Sequence, residues 1–164
     1  MALDLHICPS VVNQLRPDEP ERPSHRPTPA ARNLSGIEAA SLVKFAYFTD
    51  EPPAVGTLLY TAFRRNMPPG VKEFMVGKSV TFFYGIQQTG GLLAIQVRWI
   101  NPDGVVVRTS DQPMDQSKIG ALWTWQVDTL DRRDLSSAGV WAVELLISGH
   151  RVGRYPLLVR TAVR

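Results

Sequence analysis

From residue 42 onward, apolar side chains recur at every second position, and no other feature of the sequence limits the fold as strongly. A period of two is typical of a β-strand with one buried face, because successive side chains of a strand point to opposite faces. Residues 92–100 show the pattern most clearly, with Gln96 and Arg98 on the polar face. The apolar face of that segment would carry Leu93, Ile95, Val97 and Trp99.

Similar runs predict about 7–9 short strands along the chain. The segments that show the pattern are residues 42–49, 57–64, 78–86, 92–100, 105–109, 121–127, 139–148 and 152–160. Turn-forming residues separate several of them, for example at 101–104 and 148–151. Since no long helical pattern follows residue 44, the sequence predicts an all-β fold, with the strands arranged as an antiparallel β-sandwich.

Three local predictions accompany this fold. Ser35 and Glu38 have the spacing of a capping box, which predicts one helical turn over residues 36–41. Pro156 lacks a backbone donor, so the last strand should lie at a sheet edge or carry a bulge. Residues 128–137 are rich in charged residues and serine, and we expect a surface loop there. The charged residues of that predicted loop are Asp128, Asp131, Arg132, Arg133 and Asp134.

The N-terminal part of the chain has a different composition. Five prolines lie between residues 17 and 29, with charged residues among them and almost no apolar ones. Such a segment buries too little surface to offset its chain entropy. The sequence therefore predicts a flexible, proline-rich arm at residues 1–35 and a sandwich domain at residues 36–164. Val11 and Val12 in the arm are candidates for docking on a partner.

Charge and cysteine content narrow the function. The net charge is only +3, and the 18 Lys and Arg residues are interspersed with 15 Asp and Glu. Nucleic-acid-binding domains concentrate their basic residues, so we expect no nucleic-acid partner. Cys8 is the only cysteine, which excludes a disulfide within the chain. No segment reaches the ~18 apolar residues that span a bilayer, and the N-terminus lacks a basic signal-peptide region, so a cytoplasmic location is expected.

Two groups of residues resemble a known family. Trp99 together with Pro-Asp-Gly at 102–104 resembles the W-x-x-P-D-G hairpin of bacterial immunoglobulin-like accessory domains. Residues 139–145 and 156–159 are similar to the G-x-W-x-V-E ending of those domains, although Leu157 stands where phenylalanine is usual. The resemblance implies an immunoglobulin-like sandwich with an accessory or adaptor role, and it names no ligand.

Residues that carry catalysis or bind metals are sparse. The three histidines are His6, His25 and His150, and none has a partner at a recognisable spacing. Asp103, Asp111 and Asp115 lie close enough in sequence for a calcium site, but they lack EF-hand spacing and are more simply solvated. The sequence therefore predicts a protein that is not an enzyme, with no catalytic residue, no cofactor and no metal.

The remaining hypothesis is a non-catalytic module that binds a partner protein through a sheet edge, end loops or the N-terminal arm. Trp99 and Trp141 are expected in the core, whereas Trp123 and Trp125 border a polar loop and are candidates for exposure. The candidate partner-binding residues are Trp123, Trp125, Tyr155, Leu157, Val11 and Val12. A carbohydrate-binding sandwich that uses exposed tryptophans is the alternative, self-association stays open, and an enzyme is the least favoured class.

Overall fold

The computed structural model describes residues 30–50, 70–116 and 123–161. Its elements are α1 (Gly36–Ser41), β1 (Val43–Thr49), β2 (Glu73–Met75), β3 (Val80–Gln87), β4 (Leu92–Leu93), β5 (Ile95–Ile100), β6 (Val106–Asp111), β7 (Met114–Asp115), β8 (Trp123–Leu130), β9 (Gly139–Ile147) and β10 (His150–Arg160). The predicted strand at 57–64 and most of the predicted arm, with Val11 and Val12, lie outside the described residues.

The strands form two main sheets. One sheet has the order β1-β3-β8 and is antiparallel throughout. The other has the order β2-β10-β9-β5-β6, and it is antiparallel except where the short β2 runs parallel to β10. β4 and β7 form a separate two-stranded pair beside β5 and β6. Along the chain, the main sheet changes between β1 and β2, between β2 and β3, between β3 and β5, between β6 and β8, and between β8 and β9.

This strand order is that of the immunoglobulin fold. β1, β3 and β8 take the places of strands A, B and E, while β5, β6, β9 and β10 take those of C, C′, F and G. Trp99 on β5 is buried, as the central tryptophan of strand C is in that fold. The prediction of an all-β, immunoglobulin-like antiparallel sandwich is confirmed.

The core lies between the two sheets. Trp99 on β5 and Trp141 on β9 are almost completely buried, as expected. Phe48 of the three-stranded sheet lies 6.1 Å from Trp99 between ring centroids, and Phe82 lies 5.1 Å from Tyr155, so aromatic rings from both sheets meet. Full burial of one large apolar side chain contributes about 1.5–3 kcal/mol, so this shared core replaces the missing disulfide as the link between the sheets.

The predicted helical turn is also confirmed. The Ser35 side chain accepts a hydrogen bond from the Glu38 backbone N–H, and the Glu38 carboxylate accepts one from the Ser35 backbone N–H at 2.9 Å. The short helix α1 buries Ala39 and packs beside β10. It therefore covers part of that strand, which β2 leaves unpaired except at residues 158–160.

Two further local predictions concern the segment 128–137 and Pro156. The predicted loop at 128–137 begins later, because β8 continues through Leu130 and Asp128 is buried rather than on the surface. The sequence pattern was wrong there because buried hydrogen-bond partners compensate the Asp128 charge. The prediction for Pro156 is confirmed, since this residue lies beyond the segment paired with β2, and β10 carries a bulge between Arg151 and Gly153.

Candidate partner-binding face

The hairpin between β5 and β6 has a well-ordered turn. Asn101 Oδ1 accepts hydrogen bonds from the backbone N–H groups of Asp103 and Val105, at 3.1 and 2.8 Å. The Asn101 backbone donates to the Val105 carbonyl at 2.9 Å, and Gly104 supplies a left-handed φ of 79°. An asparagine that bonds the backbone ahead of it fixes the shape of a turn, so the residues after the turn are held in place.

Three consecutive valines follow this turn and are exposed. Val105, Val106 and Val107 have relative exposures of 56%, 46% and 44%, and Val140 at the start of β9 reaches 62%. Single exposed apolar residues are common on protein surfaces and need no explanation. Four exposed valines near one corner of a rigid sheet form a patch of the kind that marks interaction sites.

The valines continue an apolar row across the outer face of the five-stranded sheet. Val106 lies opposite Ile100, Ile100 lies opposite Ala142, and Ala142 lies opposite Pro156. Directly opposed residues in antiparallel strands have neighbouring side chains, so these four form a continuous strip over four strands. Ile100 and Ala142 are buried at 5% and 6% exposure, so the exposed members of the strip are Val106 and Pro156 at its two ends. Val140 precedes Ala142 by two residues on β9 and extends the strip toward the end of the sheet.

Arginines lie beside the apolar strip. Arg98 on β5 and Arg154 on β10 both lie opposite Glu144 on β9. The Glu144 carboxylate forms ion pairs with Arg151 at 3.0 Å and with Arg154 at 3.5 Å. The arginine side chains are 61% and 54% exposed, whereas that of Glu144 is only 12% exposed. The arginines are therefore the solvent-exposed members of this cluster, and the shielded glutamate restricts their conformations.

We call this surface the valine–arginine face. It consists of Ile100, Val106, Val140, Ala142, Pro156, Arg98, Arg151 and Arg154. The face lies on the outer side of the five-stranded sheet, and the β5–β6 hairpin marks one end of it.

A glycine–proline contact fixes the hairpin end of this face. Gly139 has a φ of 135°, and a Cβ added there would lie 2.8 Å from Pro102 Cγ. Pro102 therefore packs directly on the backbone at the start of β9. The two sequence motifs noted above, one ending in Pro-Asp-Gly and the other beginning with Gly139, interlock at this contact.

The edge of β6 exposes backbone hydrogen-bonding groups. Gln112 donates its backbone N–H to the Ile95 carbonyl at 2.8 Å. In an antiparallel ladder, the backbone groups of every second residue point to the neighbouring strand, and those of the residues between point away from it. The backbone groups of Thr109 and Asp111 therefore point away from β5. No strand in the described part of the chain pairs with this side of β6. An extended segment of a partner can add there by ordinary sheet hydrogen bonds.

The buried Asp128 carboxylate anchors β6 to the opposite sheet. Asp128 of the opposite sheet accepts hydrogen bonds from Trp99 Nε1 at 3.0 Å and from Gln112 Nε2 at 2.8 Å. Arg108 of β6 lies 3.5 Å from the same carboxylate and donates to the Thr129 carbonyl at 2.6 Å. A buried charge is tolerated only when it is paired and hydrogen-bonded, and here the partners link β6 to β8.

Tyr84 completes this network. Its hydroxyl lies 2.7 Å from Gln112 Oε1 and 2.9 Å from Gln126 Oε1, so it donates to one amide oxygen at a time. Burial, with the negative charge of Asp128 as a smaller cause, raises the pKa of Tyr84 far above its usual value. The hydroxyl therefore stays protonated and keeps donating.

The outer side of the three-stranded sheet is different, and we call it the aromatic face. It carries Phe45, Tyr47, Phe83 and Trp125, whose rings contact one another at centroid distances of 5.1–6.0 Å. Gly85 lies directly under the Phe45 ring and leaves no room for a side chain. Burial raises the pKa of Tyr47 to about 12.

The structure separates the residues that the sequence singled out for partner binding. Trp125 is half-buried and meets Phe83 edge-on at 5.4 Å, and the backbone of Trp123 pairs with that of Gln87. Tyr155 and Leu157 point into the core, Tyr155 against Phe82 and Leu157 with 2% exposure. These residues lie apart from the valine–arginine face.

The valine–arginine face was not predicted from the sequence, although a signal for it was present. Val105, Val106 and Val107 break the alternation expected of a half-buried strand, so at least one of them had to point toward solvent. The arginine cluster had no such signal, because Arg98 and Arg154 lie far apart in sequence. They approach only through the register of β5, β9 and β10.

The described residues include neither a metal-binding cluster nor a membrane-spanning helix. Among residues 30–50, 70–116 and 123–161, no group of three or more His, Cys, Asp or Glu residues is arranged to hold a metal ion. No helix in the described ranges has the length and apolar character needed to cross a membrane.

The fold and this face define an immunoglobulin-like sandwich with an exposed apolar and cationic sheet surface. No protein-family model matches the sequence, and no curated protein matches it. Among solved structures, the chain is similar to an immunoglobulin-like protein from Pseudomonas aeruginosa. That match has 11% identity and a TM-score of 0.41, and it covers 73% of this chain and 94% of the other.

Two further structures show weaker or partial similarity. The CARDB domain of a Pyrococcus furiosus protein in complex with di-metal ions is 9% identical, with a TM-score of 0.37, over 56% of this chain and 83% of that domain. A Pseudomonas fluorescens alkylpurine DNA glycosylase bound to DNA containing an abasic site analog is 12% identical, with a TM-score of 0.40, over 54% of this chain. The chain spans only 27% of that glycosylase. The fold assignment rests on the strand order alone.

Proposed function

We propose that this protein is a non-catalytic module that binds a partner protein through the valine–arginine face and the adjoining edge of β6. The observation that carries the proposal is the exposure of Val106 and Val140, at 46% and 62%, beside a hairpin whose turn is fixed by Asn101. A rigid apolar surface loses little conformational entropy on binding, which favours association.

The proposed partner contributes an extended segment. A standard protein–protein interface involves about 20–30 residues on each side, far more than the eight that form this face. Side-chain burial alone would therefore give weak binding. The backbone groups of Thr109 and Asp111 supply additional hydrogen bonds to a strand that lies against β6, while the arginines contribute at the adjacent face.

A capture experiment with two matched variants tests this function. Val106→Lys places a charge within the apolar strip, whereas Ile37→Lys changes a residue of α1 that is 86% exposed and lies off the face. We expect the wild-type chain and Ile37→Lys to retain the same protein from native lysate in similar amounts. Val106→Lys should lose that protein. Equal capture by both variants would contradict the proposed surface.

Carbohydrate binding is a second candidate. It is supported by the two-residue spacing of Trp123 and Trp125 on β8, a strand that has no second neighbour among the described strands. The edge-on contact between Trp125 and Phe83 favours ring packing instead. Tryptophan fluorescence separates the two, because only a sugar-binding platform predicts quenching or a spectral shift on addition of oligosaccharides.

A further inference from the structure

The chain that precedes the sandwich enters it beside the five-stranded sheet. The Arg32 backbone N–H donates to the Leu92 carbonyl at 2.8 Å, and its side chain donates to the Thr89 carbonyl at 2.8 Å. Ser148 Oγ, at the end of β9, donates to the Arg32 carbonyl at 2.7 Å. Arg32 therefore lies at the end of the sheet where β9 finishes and β5 begins, and residues 1–29 precede it in the sequence.

The valine–arginine face is within reach of this segment. From Ser148 the face extends along β9 past Glu144, about 13 Å away, to Val140, about 26 Å away at ~3.3 Å per residue. Glu21 lies eleven positions before Arg32, and Val11 lies twenty-one positions before it. In an extended proline-rich conformation, these stretches of chain span about 34 and 65 Å. Reach is therefore sufficient for both parts of the face.

The acidic and apolar groups of the segment follow the same order as the arginines and valines of the face. Moving away from Arg32, the segment passes Arg26 and Arg22 and then presents Glu21, Glu19 and Asp18, which lie within four positions without an intervening basic residue. Beyond Arg16 it presents an apolar group, as the face changes from arginines to valines. The apolar residues of the segment are Val11, Val12 and Leu15, and the exposed ones at the far end of the face are Val106 and Val140.

We propose that residues 11–21 dock on the valine–arginine face of their own chain and compete with the partner for it. The acidic residues meet Arg98, Arg151 and Arg154, and the apolar residues cover the strip. Docking itself is independent of the proposed function, and only the competition rests on it. A tether of this length keeps the segment at an effective concentration of about 1 mM, so even a contact with a ~1 mM dissociation constant is occupied about half of the time.

Cys8 offers a direct test, because it is the only cysteine and lies three residues before Val11. A nitroxide attached to Cys8 of the full chain should attenuate the amide signals of Ile100, Val106 and Val140. The signals of Thr81, on the outer side of the other sheet, serve as the internal control. A variant with Asp18→Lys, Glu19→Lys and Glu21→Lys should lose the selective attenuation, as should the wild type in 1 M salt, where the Debye length falls to ~3 Å.

Other outcomes would overturn the proposal. Uniform attenuation, or attenuation centred on the aromatic face, would show that the segment does not select the valine–arginine face. A mixture of nitroxide-bearing chain with unlabelled, isotope-enriched chain identifies exchange between copies. Selective attenuation in that mixture would show that a second copy, not the same chain, supplies the segment.

The competition has its own readout. If the segment covers the face half of the time, the lysine triple variant should bind the captured partner about twofold more tightly than the wild type. Unchanged partner affinity alongside selective attenuation would remove the competition and leave docking intact. Equal capture of the partner by Val106→Lys and Ile37→Lys would contradict the proposed function and leave the nitroxide result standing. The two failures are therefore distinguishable.

Discussion

Phe83 and Val140 both point outward from the sandwich, yet Phe83 is completely buried while Val140 is 62% exposed. Phe83 lies on the aromatic face, where the rings of Phe45, Tyr47 and Trp125 surround it. Val140 lies on the valine–arginine face, opposite Leu158 of β10 and two residues before Ala142 on its own strand. Aromatic rings are large enough to cover one another within a single sheet face, whereas valines remain exposed unless something else covers them.

The largest expected effect is a difference in stability between these two faces. Phe83→Ala removes a fully buried ring and should lower the free energy of unfolding by about 3–5 kcal/mol. Val140→Ala should change it by less than about 0.5 kcal/mol, because this valine is mostly exposed. Urea denaturation followed by circular dichroism measures both. Similar losses in the two variants would contradict the difference between the faces.

A smaller loss of stability is expected when the hydrogen-bond network around Asp128 is disrupted. Asp128→Asn keeps the size of the side chain but removes the charge that faces Arg108. It also replaces one carboxylate oxygen, which accepts a hydrogen bond, with an amide NH₂ group, which can only donate. We expect the free energy of unfolding to fall by about 2 kcal/mol, within the range for hydrogen bonds to charged groups. The same urea titration measures it, with Asp131→Asn in the exposed loop as the control. Equal stability of the two variants would show that the network contributes little.

Alkaline pH should act through the aromatic face. The pKa of Tyr47 is raised to about 12 by burial, so between pH 10 and 12 the unfolded chain releases this proton while the folded chain retains it. The stability from this group is fully present below pH 10 and is lost as the pH rises through 12. Tyr47→Phe should therefore lose less stability over that range than the wild type.

Tyr47→Phe has a second expected property. The Tyr47 hydroxyl has no hydrogen-bond partner in the described part of the chain, so its removal at pH 7 should leave the melting temperature unchanged or slightly raised. Thermal melts at pH 7 and pH 11 measure both properties. A marked loss of stability at pH 7 would show that the hydroxyl is hydrogen-bonded in solution.

The smallest expected effect is that of Val106→Lys on stability. Val106 is 46% exposed, so the free energy of unfolding should stay within about 0.5 kcal/mol of the wild-type value. Thermal melts of the purified variant measure this. A loss larger than 1 kcal/mol would mean that any failure to capture a partner reflects a weakened fold, and the capture result would then need Val140→Lys in its place.

Much of the fold could be predicted from local patterns. The alternation over 92–100 and 139–148 predicted β5 and β9, and the spacing of Ser35 and Glu38 predicted α1. These features depend on residues close in sequence. The three-residue strand β2 was not predicted, because its pairing with β10 joins segments more than eighty residues apart and leaves no local period.

The candidate site was harder to predict for the same reason. The burial of Asp128 depends on Trp99, Arg108 and Gln112, which come from other strands, so local composition suggested a surface loop instead. Leu157 was a candidate for partner binding, yet it lies in the core, because its orientation is set by its pairing with Trp141. Residues 11 and 12 lie outside the described part of the chain, and their role stays a prediction.

Hydrogen exchange of the chain, alone and with its captured partner, locates the surface that the partner covers. We expect new protection of backbone amides in β6 and in the adjoining parts of β5 and β9, with little change in β1, β3 and β8. New protection confined to the three-stranded sheet, with β6 exchanging as it does in the isolated chain, would show that partners bind the aromatic face and not the valine–arginine face.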